Sequence, residues 1–407
     1  MATETVTEFR LRARSWLAEN MPKRVREAAQ AETTDDDEVW ARARELQKML
    51  YKGGFAGICF PKEYGGLGLS REYQDVFTEE SDVYEMPLVL NVPTLSICAP
   101  TIMDMASEEL KREHLPAVIR GDEVLVQFLS EPSGGSNLAG VLTRADRDGD
   151  SWILNGSKIW SSNAYAADYA LCLARTDWDA PKHRGLTMFL IKVHQPGLTV
   201  RRIEQVNGQT EFCEEFFDDV IIPASAVVGE INDGWTVATR QLFHERTAVG
   251  GGSEFVSGRG ARGEYLPSLS ELAREVGLEN ETWARDLVAK AAAHRTVQEQ
   301  LIPYVISKVE DGSLPGIAMS LIRLFHAETD WLESDVGLEL AGAVGVAHDS
   351  TTVPGQFARH YLMRQGASLG GGSSEMSRNI ISERLLRMPR EAADDKDIPF
   401  REVRQGR

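Results

Sequence analysis

Cysteine is scarce in this chain: Cys59, Cys98, Cys172 and Cys213 are the only four in 407 residues, far apart and never in a CxxC pair. That spacing suggests neither a disulfide framework nor a thiolate zinc site, and it fits a reduced compartment. Positive charge is also in deficit, with 44 lysines and arginines against 62 aspartates and glutamates and a formal net charge of -18. A net charge this negative argues against nucleic acid and anionic membrane as partners, because both require a basic surface to neutralise phosphate. A polyanionic ligand must instead meet a locally positive pocket. No apolar run in the sequence reads as membrane-spanning, and Met1 to Arg10 is polar and acidic without an apolar signal core. The expectation is a cytoplasmic protein without a metal site. With 42% hydrophobic residues, the chain can bury a sizeable core in two or three domains or one composite unit.

Helical spacing opens the chain. Val6, Phe9, Leu11, Trp16 and Leu17 predict an amphipathic helix from Thr5 to Asn20, closed by Met21-Pro22. Trp40, Ala43, Leu46 and Leu50 predict a second from about Asp36 to Tyr51. Phe60 to Gly68 is a loop punctuated by proline and glycine, and Arg71 to Asp82 and Leu95 to Ala106 are again helical. Beyond Gly121 come short β-rich runs at Val124 to Leu129, Trp152 to Leu154, Tyr169 to Leu173, Thr187 to Ile191, Leu198 to Ile203 and Val220 to Ile222. Asp148-Gly149-Asp150 and Asn155-Gly156 carry hairpin signals. Helical period returns at Asn232, broken by a polar insert with six glycines from Gly250 to Gly263 that reads as a loop. It continues near Glu281 to Asp311, Ala318 to Leu340 and Glu375 to Arg387, with no internal repeat. This order predicts a β-domain clasped by two helical ones.

A strand feeding a glycine-rich loop runs from Gln127 to Gly140, and such a loop offers backbone N–H groups and hydroxyls to a polar ligand. Within it Ser130, Glu131, Pro132, Gly135, Ser136 and Gly140 are similar to the signature of the acyl-CoA dehydrogenase family, with Asn137 where that family usually has Asp. Asn155-Gly156-Ser157-Lys158-Ile159-Trp160-Ser161-Ser162 resembles a second family motif. Shorter matches at Phe60 to Gly66, Gly229 to Trp235 and Arg378 to Ile381 carry the resemblance in order along nearly the whole chain.

The resemblance implies an α+β fold of an N-terminal helical domain (1–122), a middle β-barrel-like domain (123–232) and a C-terminal four-helix bundle (233–407). It implies FAD as cofactor: Gln127, Leu129, Ser130, Gly135 and Ser136 would hold the flavin pyrimidine edge, Trp160 would pack on the isoalloxazine, and Ser161 and Ser162 would lie beside it. Hydrogen-bond donors there stabilise the electron-rich reduced ring. Ser373 and Glu375 would approach the adenosine side. Glu339 and Gly342 stand where the family reaches the FAD of a neighbouring subunit, with Glu for Gln and Ala343 for Gly, and Arg274 is a weak substitute for its pyrophosphate element.

Removing an α-proton beside a thioester requires a base, usually a carboxylate whose proton affinity a dry pocket raises. In much of the family this Glu sits in a loop before the last helix, where this chain has Gly371. A second branch, similar to the isovaleryl- and long-chain enzymes, carries it on a helix directly before an arginine, which matches Phe243-His244-Glu245-Arg246. Glu245 is therefore the expected base, with Ser136, Arg246, Gly371 and Gly372 toward the substrate. The competing reading makes Glu245 a solvated helix residue paired with a nearby arginine. Glu375, opening a helix, reads as a complement to its dipole, and His244 as packing or pocket lining, since no carboxylate or second histidine in the sequence suggests a relay with it. The function implied is α,β-desaturation of an acyl-CoA, of branched or bulky chain, to a trans-2-enoyl-CoA, with electrons passed to an electron-transfer flavoprotein by a homotetramer or a heteromeric tetramer or dimer. The alternatives are an FAD-binding partner subunit of a heteromeric dehydrogenase, and a flavin monooxygenase or oxidase on the same fold.

Overall fold

Thr5 and Glu8 form a capping box: the Glu8 N–H donates to the Thr5 hydroxyl, and the Thr5 N–H donates to the Glu8 carboxylate. The first helix, α1 (Val6–Asn20), therefore starts where the spacing predicts. The computed structural model describes residues 4–24, 36–249, 253–256, 266–347, 352–390, 392–393 and 395–403. Next come α2 (Asp36–Gly53) and α3 (Arg71–Ser81), then a π-helical turn (Asn91–Cys98) that runs into α4 (Ala99–Met105). α5 (Glu108–Arg120) is a helix that the sequence does not announce, because Pro116 lies inside it. Its ends are nonetheless well marked. Ser107 accepts from the Leu110 N–H, and Gly121 closes the helix in the left-handed region.

One expectation is corrected here. Leu88–Met105 is long and apolar enough to cross a membrane, by length and composition. It is mostly buried within the protein and is interrupted by extended backbone at Val92, so it serves as a core element.

The middle of the chain folds into an eight-stranded sheet. Its strands are β1 (Leu125–Phe128), β2 (Arg144–Asp148), β3 (Ser151–Ser162), β4 (Tyr169–Arg175), β5 (Leu186–Lys192), β6 (Leu198–Arg202), β7 (Phe212–Pro223) and β8 (Val227–Val228). The order is β6-β7-β3-β2-β4-β5-β8, with β1 paired in parallel to β4. Asp148-Gly149-Asp150 makes the β2–β3 hairpin as expected. Asn155-Gly156 does not make a turn. It is a bulge inside β3, where the register against β7 shifts between Leu154 and Gly156. Asn155 closes the bulge, its amide donating to Asp219 Oδ1 at 2.9 Å and its carbonyl oxygen accepting from the Asp219 N–H at 3.0 Å. An Asn-Gly pair supplies the same backbone freedom to a bulge as to a hairpin, and pairing on both sides decides between them.

The chain returns to helix in α6 (Gly234–Val249), α7 (Leu269–Glu275), α8 (Thr282–Glu310), α9 (Met319–Val346), α10 (Val353–Leu369) and α11 (Ser374–Ile380), followed by a π-helical turn (Ile381–Leu385). The glycine-rich insert lies outside the described residues apart from 253–256. The largest core cluster joins α1 to α5 with the sheet and takes in Val237 and Ala238 of α6. Leu272, Val336, Leu340 and Phe357 form a smaller core farther along, and Val305, Ala318, Met319 and Ile322 a third. α6 is thus anchored to the sheet, which fixes the side chains near its end.

Candidate functional site

Glu245 lies one turn from the end of α6, half-buried, on a helix held against β5 and the Asn91–Cys98 turn. The Gln127 side-chain amide, reaching from β1, donates to Glu245 Oε2 at 3.0 Å. Burial pushes the Glu245 carboxyl above the usual range, while the charges of Arg246 and Arg323, the Gly371 backbone and the Gln127 amide pull it back. A carboxylate so placed has more proton affinity than a solvated one and still has donors for its charged form. The reading of Glu245 as a solvated surface residue does not describe this environment.

Its surroundings come from four separate elements. Arg246 follows it on α6; burial lowers the guanidinium's proton affinity, Glu245 opposes that, Arg384 adds to it, and its Nε has no hydrogen-bond partner among the described residues. Arg323 of α9 is almost fully buried and donates to the carbonyls of Ala367, at 2.6 Å, and Gly370. It therefore ties the end of α10 to the turn at Gly371 and Gly372, both in left-handed backbone. The buried Cys98 of the π-helical turn feels the same carboxylate, its thiol pushed well up by burial and then by the Glu245 charge.

The loop after β1 is held from beneath. Glu131 is buried and accepts from the N–H groups of Leu142 at 2.5 Å and Thr143 at 2.9 Å and from Lys158 Nζ at 2.8 Å. Lys158, fully buried, also donates to the Leu129 carbonyl at 3.0 Å, and the Ile159 N–H donates to the Ser130 carbonyl at 3.0 Å. These bonds lock the loop to β3 and leave Gly135, Ser136 and Asn137 exposed above it.

Trp160 is the extra residue of a second β3 bulge, between Ile159 and Ser161, with φ of 67°. A non-glycine residue in left-handed backbone is strained and often marks a site. Its indole is 56% exposed, edge-on to Phe212 at 6.0 Å. Ser162 beside it is half-buried, whereas Ser161 turns inward and donates to Glu215 Oε2 at 3.0 Å.

The remaining expected residues are more dispersed. Ser373 caps α11, its hydroxyl accepting from the Met376 N–H at 3.1 Å, and Glu375 is exposed in the first turn of that helix. Arg274 is exposed on α7, as are Glu339 and Gly342 on α9, where Gly342 breaks the helix with φ of 54°. Among the described residues there is no cluster of three or more metal-ligating side chains. The sequence missed Asp104: it accepts from Arg240 at 2.5 Å and lies 2.8 Å from His244 Nε2, so His244 does have a carboxylate partner, on α4 rather than nearby in the chain. Arg323, Cys98 and Glu215 also carried no motif signal, since each acts through contacts distant in sequence.

Three family models match the chain in order: the acyl-CoA dehydrogenase N-terminal domain over residues 3–122, the middle domain over 127–220 and the C-terminal domain over 232–386. The acyl-CoA dehydrogenase IpdE1 of Mycobacterium tuberculosis is 32% identical, over 96% of this chain and 99% of that protein. A solved steroid ACAD, Tcur3481-Tcur3483, is 30% identical with a TM-score of 0.77, covering 96% of this chain and 99% of its own. The ChsE4-ChsE5 complex of Mycobacterium tuberculosis is 26% identical with a TM-score of 0.73, again over 96% and 99%.

Proposed function

From the fact that the chain belongs to the acyl-CoA dehydrogenase family, an oxidoreductase family whose domain models cover it from residue 3 to 386, we propose that Glu245 is the general base that removes the α-proton of a bulky acyl-CoA. The observation that carries this reading is the Glu245 carboxyl itself: half-buried, raised in proton affinity, and held by Gln127 beside the Gly371 backbone. The α-proton moves to a Glu245 oxygen while the β-hydrogen departs with its electron pair, leaving a trans-2-enoyl thioester. A raised carboxyl is matched to such a weak acid, because proton transfer is then less uphill.

The residues present fit FAD. An exposed indole on a strained bulge offers a flat apolar surface, and the Ser130 to Ser136 loop beside it presents backbone that Glu131 and Lys158 hold rigid. We assign Gln127, Leu129, Ser130, Gly135, Ser136, Trp160 and Ser162 to the ring side, and Ser373 and Glu375 to the adenosine side. Bound FAD supplies the hydride acceptor. Ser161 belongs to the support beneath, through Glu215.

A steroid-derived or similarly bulky acyl group is supported by the steroid ACAD among the relatives and by Gly371, which puts no side chain beside the base. Arg246, Ser136 and Gly372 are assigned to the thioester's coenzyme arm and mouth. Two related structures carry two-component names, which supports a heteromeric assembly over a homotetramer. An electron-transfer flavoprotein is the proposed acceptor, in a cytoplasmic setting that accords with four free thiols. The test is anaerobic flavin bleaching by straight, branched and steroid-like acyl-CoAs, using wild type and Glu245→Gln. Bleaching by bulky thioesters in wild type only is expected; equal bleaching by the variant removes Glu245 from the role.

A further inference from the structure

Gln127 is the half-buried polar position of a strand whose other members, Leu125, Val126 and Phe128, are fully buried and apolar. An amide in that setting costs free energy unless it is hydrogen-bonded. Its partner is Glu245 Oε2, 3.0 Å away and 118 residues later in the chain. Among the described residues Gln127 is the one side chain that donates to the Glu245 carboxylate; the Gly371 backbone is a second donor toward it, and Glu245 makes no ion pair among the described residues. The other groups facing it are Arg246 on its own helix, Arg323 from α9, the Gly371 backbone from the turn before α11, and the Cys98 thiol from the π-helical turn. Arg323 is engaged with carbonyls of the α10 end, so it acts on Glu245 as a charge at a distance.

The same strand that carries Gln127 runs directly into the Leu129 to Ser136 loop, which Lys158 and Glu131 fix to β3. We propose that Gln127 is a positioning residue: it ties one carboxylate oxygen of Glu245 to the strand that feeds the loop, so that the other oxygen meets the substrate Cα. This rests on the reading of Glu245 as base. The amide donates only to the charged carboxylate with full strength, so it also keeps that carboxylate ionised at lower pH than burial alone would allow. Loss of the amide therefore raises the proton affinity of Glu245. The active, deprotonated fraction then appears only at higher pH.

The experiment uses the FAD-loaded protein and the acyl-CoA that bleaches it fastest, comparing wild type with Gln127→Met, which keeps length and removes the donor. Because Gln127 is also assigned to the ring side, rates are taken per bound flavin: the rate of anaerobic flavin reduction should fall by about 10-fold or more, as expected when a hydrogen bond to a charged group is lost, and the acid limb of the pH profile should move upward. Should Gln127→Met fail to retain flavin, Gln127→Asn decides by the same readouts: it keeps an amide but draws it back from Glu245 by one methylene, so the rate should fall and the acid limb move upward. An unmoved acid limb in a folded, flavin-bound variant, or a change confined to KM, overturns the proposal. Full activity of Glu245→Gln overturns the base assignment itself, a different result that the same assay separates.

Discussion

Glu215 lies fully buried in β7, with Ser161 donating to Oε2 and Oε1 without a partner among the described residues. Burial pushes its carboxyl up to about 8, against the pull of the Ser161 bond and of Lys158. In the unfolded chain the same group titrates near ordinary glutamate values. Between those two pH values the folded state therefore holds a proton that the unfolded state has released, so stability falls as pH rises from about 4.5 toward 8, by on the order of 1.4 kcal/mol per pH unit for this group. Glu215→Gln keeps an acceptor for Ser161 and cannot ionise. Urea unfolding at pH 5 to 9 should show the variant close to wild type at pH 5 and more stable than wild type at pH 8; parallel curves would show that Glu215 does not titrate on unfolding. None of this was legible in the sequence, where Glu215 is one acid in a run with Glu214. Glu245 was legible because it sits directly before an arginine in a recognisable stretch. Its partner Gln127 was visible only as part of the loop motif, since nothing in one strand says which side chain of a distant helix it will meet.

At the scale of elements, legibility followed the local signals. α1 carries its start in Thr5 and Glu8, and the β2–β3 hairpin carries its turn in Asp148-Gly149-Asp150. α10 was missed for the opposite reason: its buried residues are Pro354, Gly355, Phe357 and Ala358, too few to mark a helical face, and proline and glycine are poor helix signals. Asn155-Gly156 was misread because a dipeptide does not reveal whether the chain on either side keeps pairing with one neighbour. The bulge it forms is demanding. Gly156 has φ of 144°, and a Cβ there would come 2.7 Å from the Thr143 Cα, backbone that Glu131 holds through the Thr143 N–H. Gly156→Ala should therefore destabilise the sheet by about 1–3 kcal/mol, the range for strain and overpacking in a filled site. It should also disturb the loop through Glu131. Thermal unfolding of the flavin-free chain reads the first effect and flavin retention the second; an unchanged melting temperature would mean that the bulge relaxes without strain.

On the scale of the whole molecule, the α, β, α order was readable from the change of period along the chain, but the way the end of the chain returns to the sheet was not. Residues 395–403 lie beyond the last family match, at 386, and have no helical or strand period. Phe400 is nevertheless buried, with Arg175 stacked over its ring at 3.3 Å and Trp178 beside it. The backbone joins in: the Phe400 N–H donates to the Ala180 carbonyl at 3.0 Å and the Arg401 N–H to that of Trp178 at 3.1 Å. Lys182 pairs with Asp395 at 2.8 Å and Arg401 with Asp179 at 2.6 Å. Arg175 is the hinge of the argument, because the same guanidinium donates to the carbonyls of Ala139 at 2.7 Å and Val141 at 3.2 Å, on the segment leaving the glycine-rich loop. The exposed ion pairs contribute little; the buried ring contributes most. Phe400→Ala should cost about 3–5 kcal/mol if the strap unfolds with the rest of the protein. If the strap instead detaches alone, the melting temperature will hold and limited proteolysis will cut after residue 390 in the variant first. Either result identifies how far the sheet depends on its C-terminal cover. A variant that matches wild type in both assays would show that Phe400 does not hold the strap.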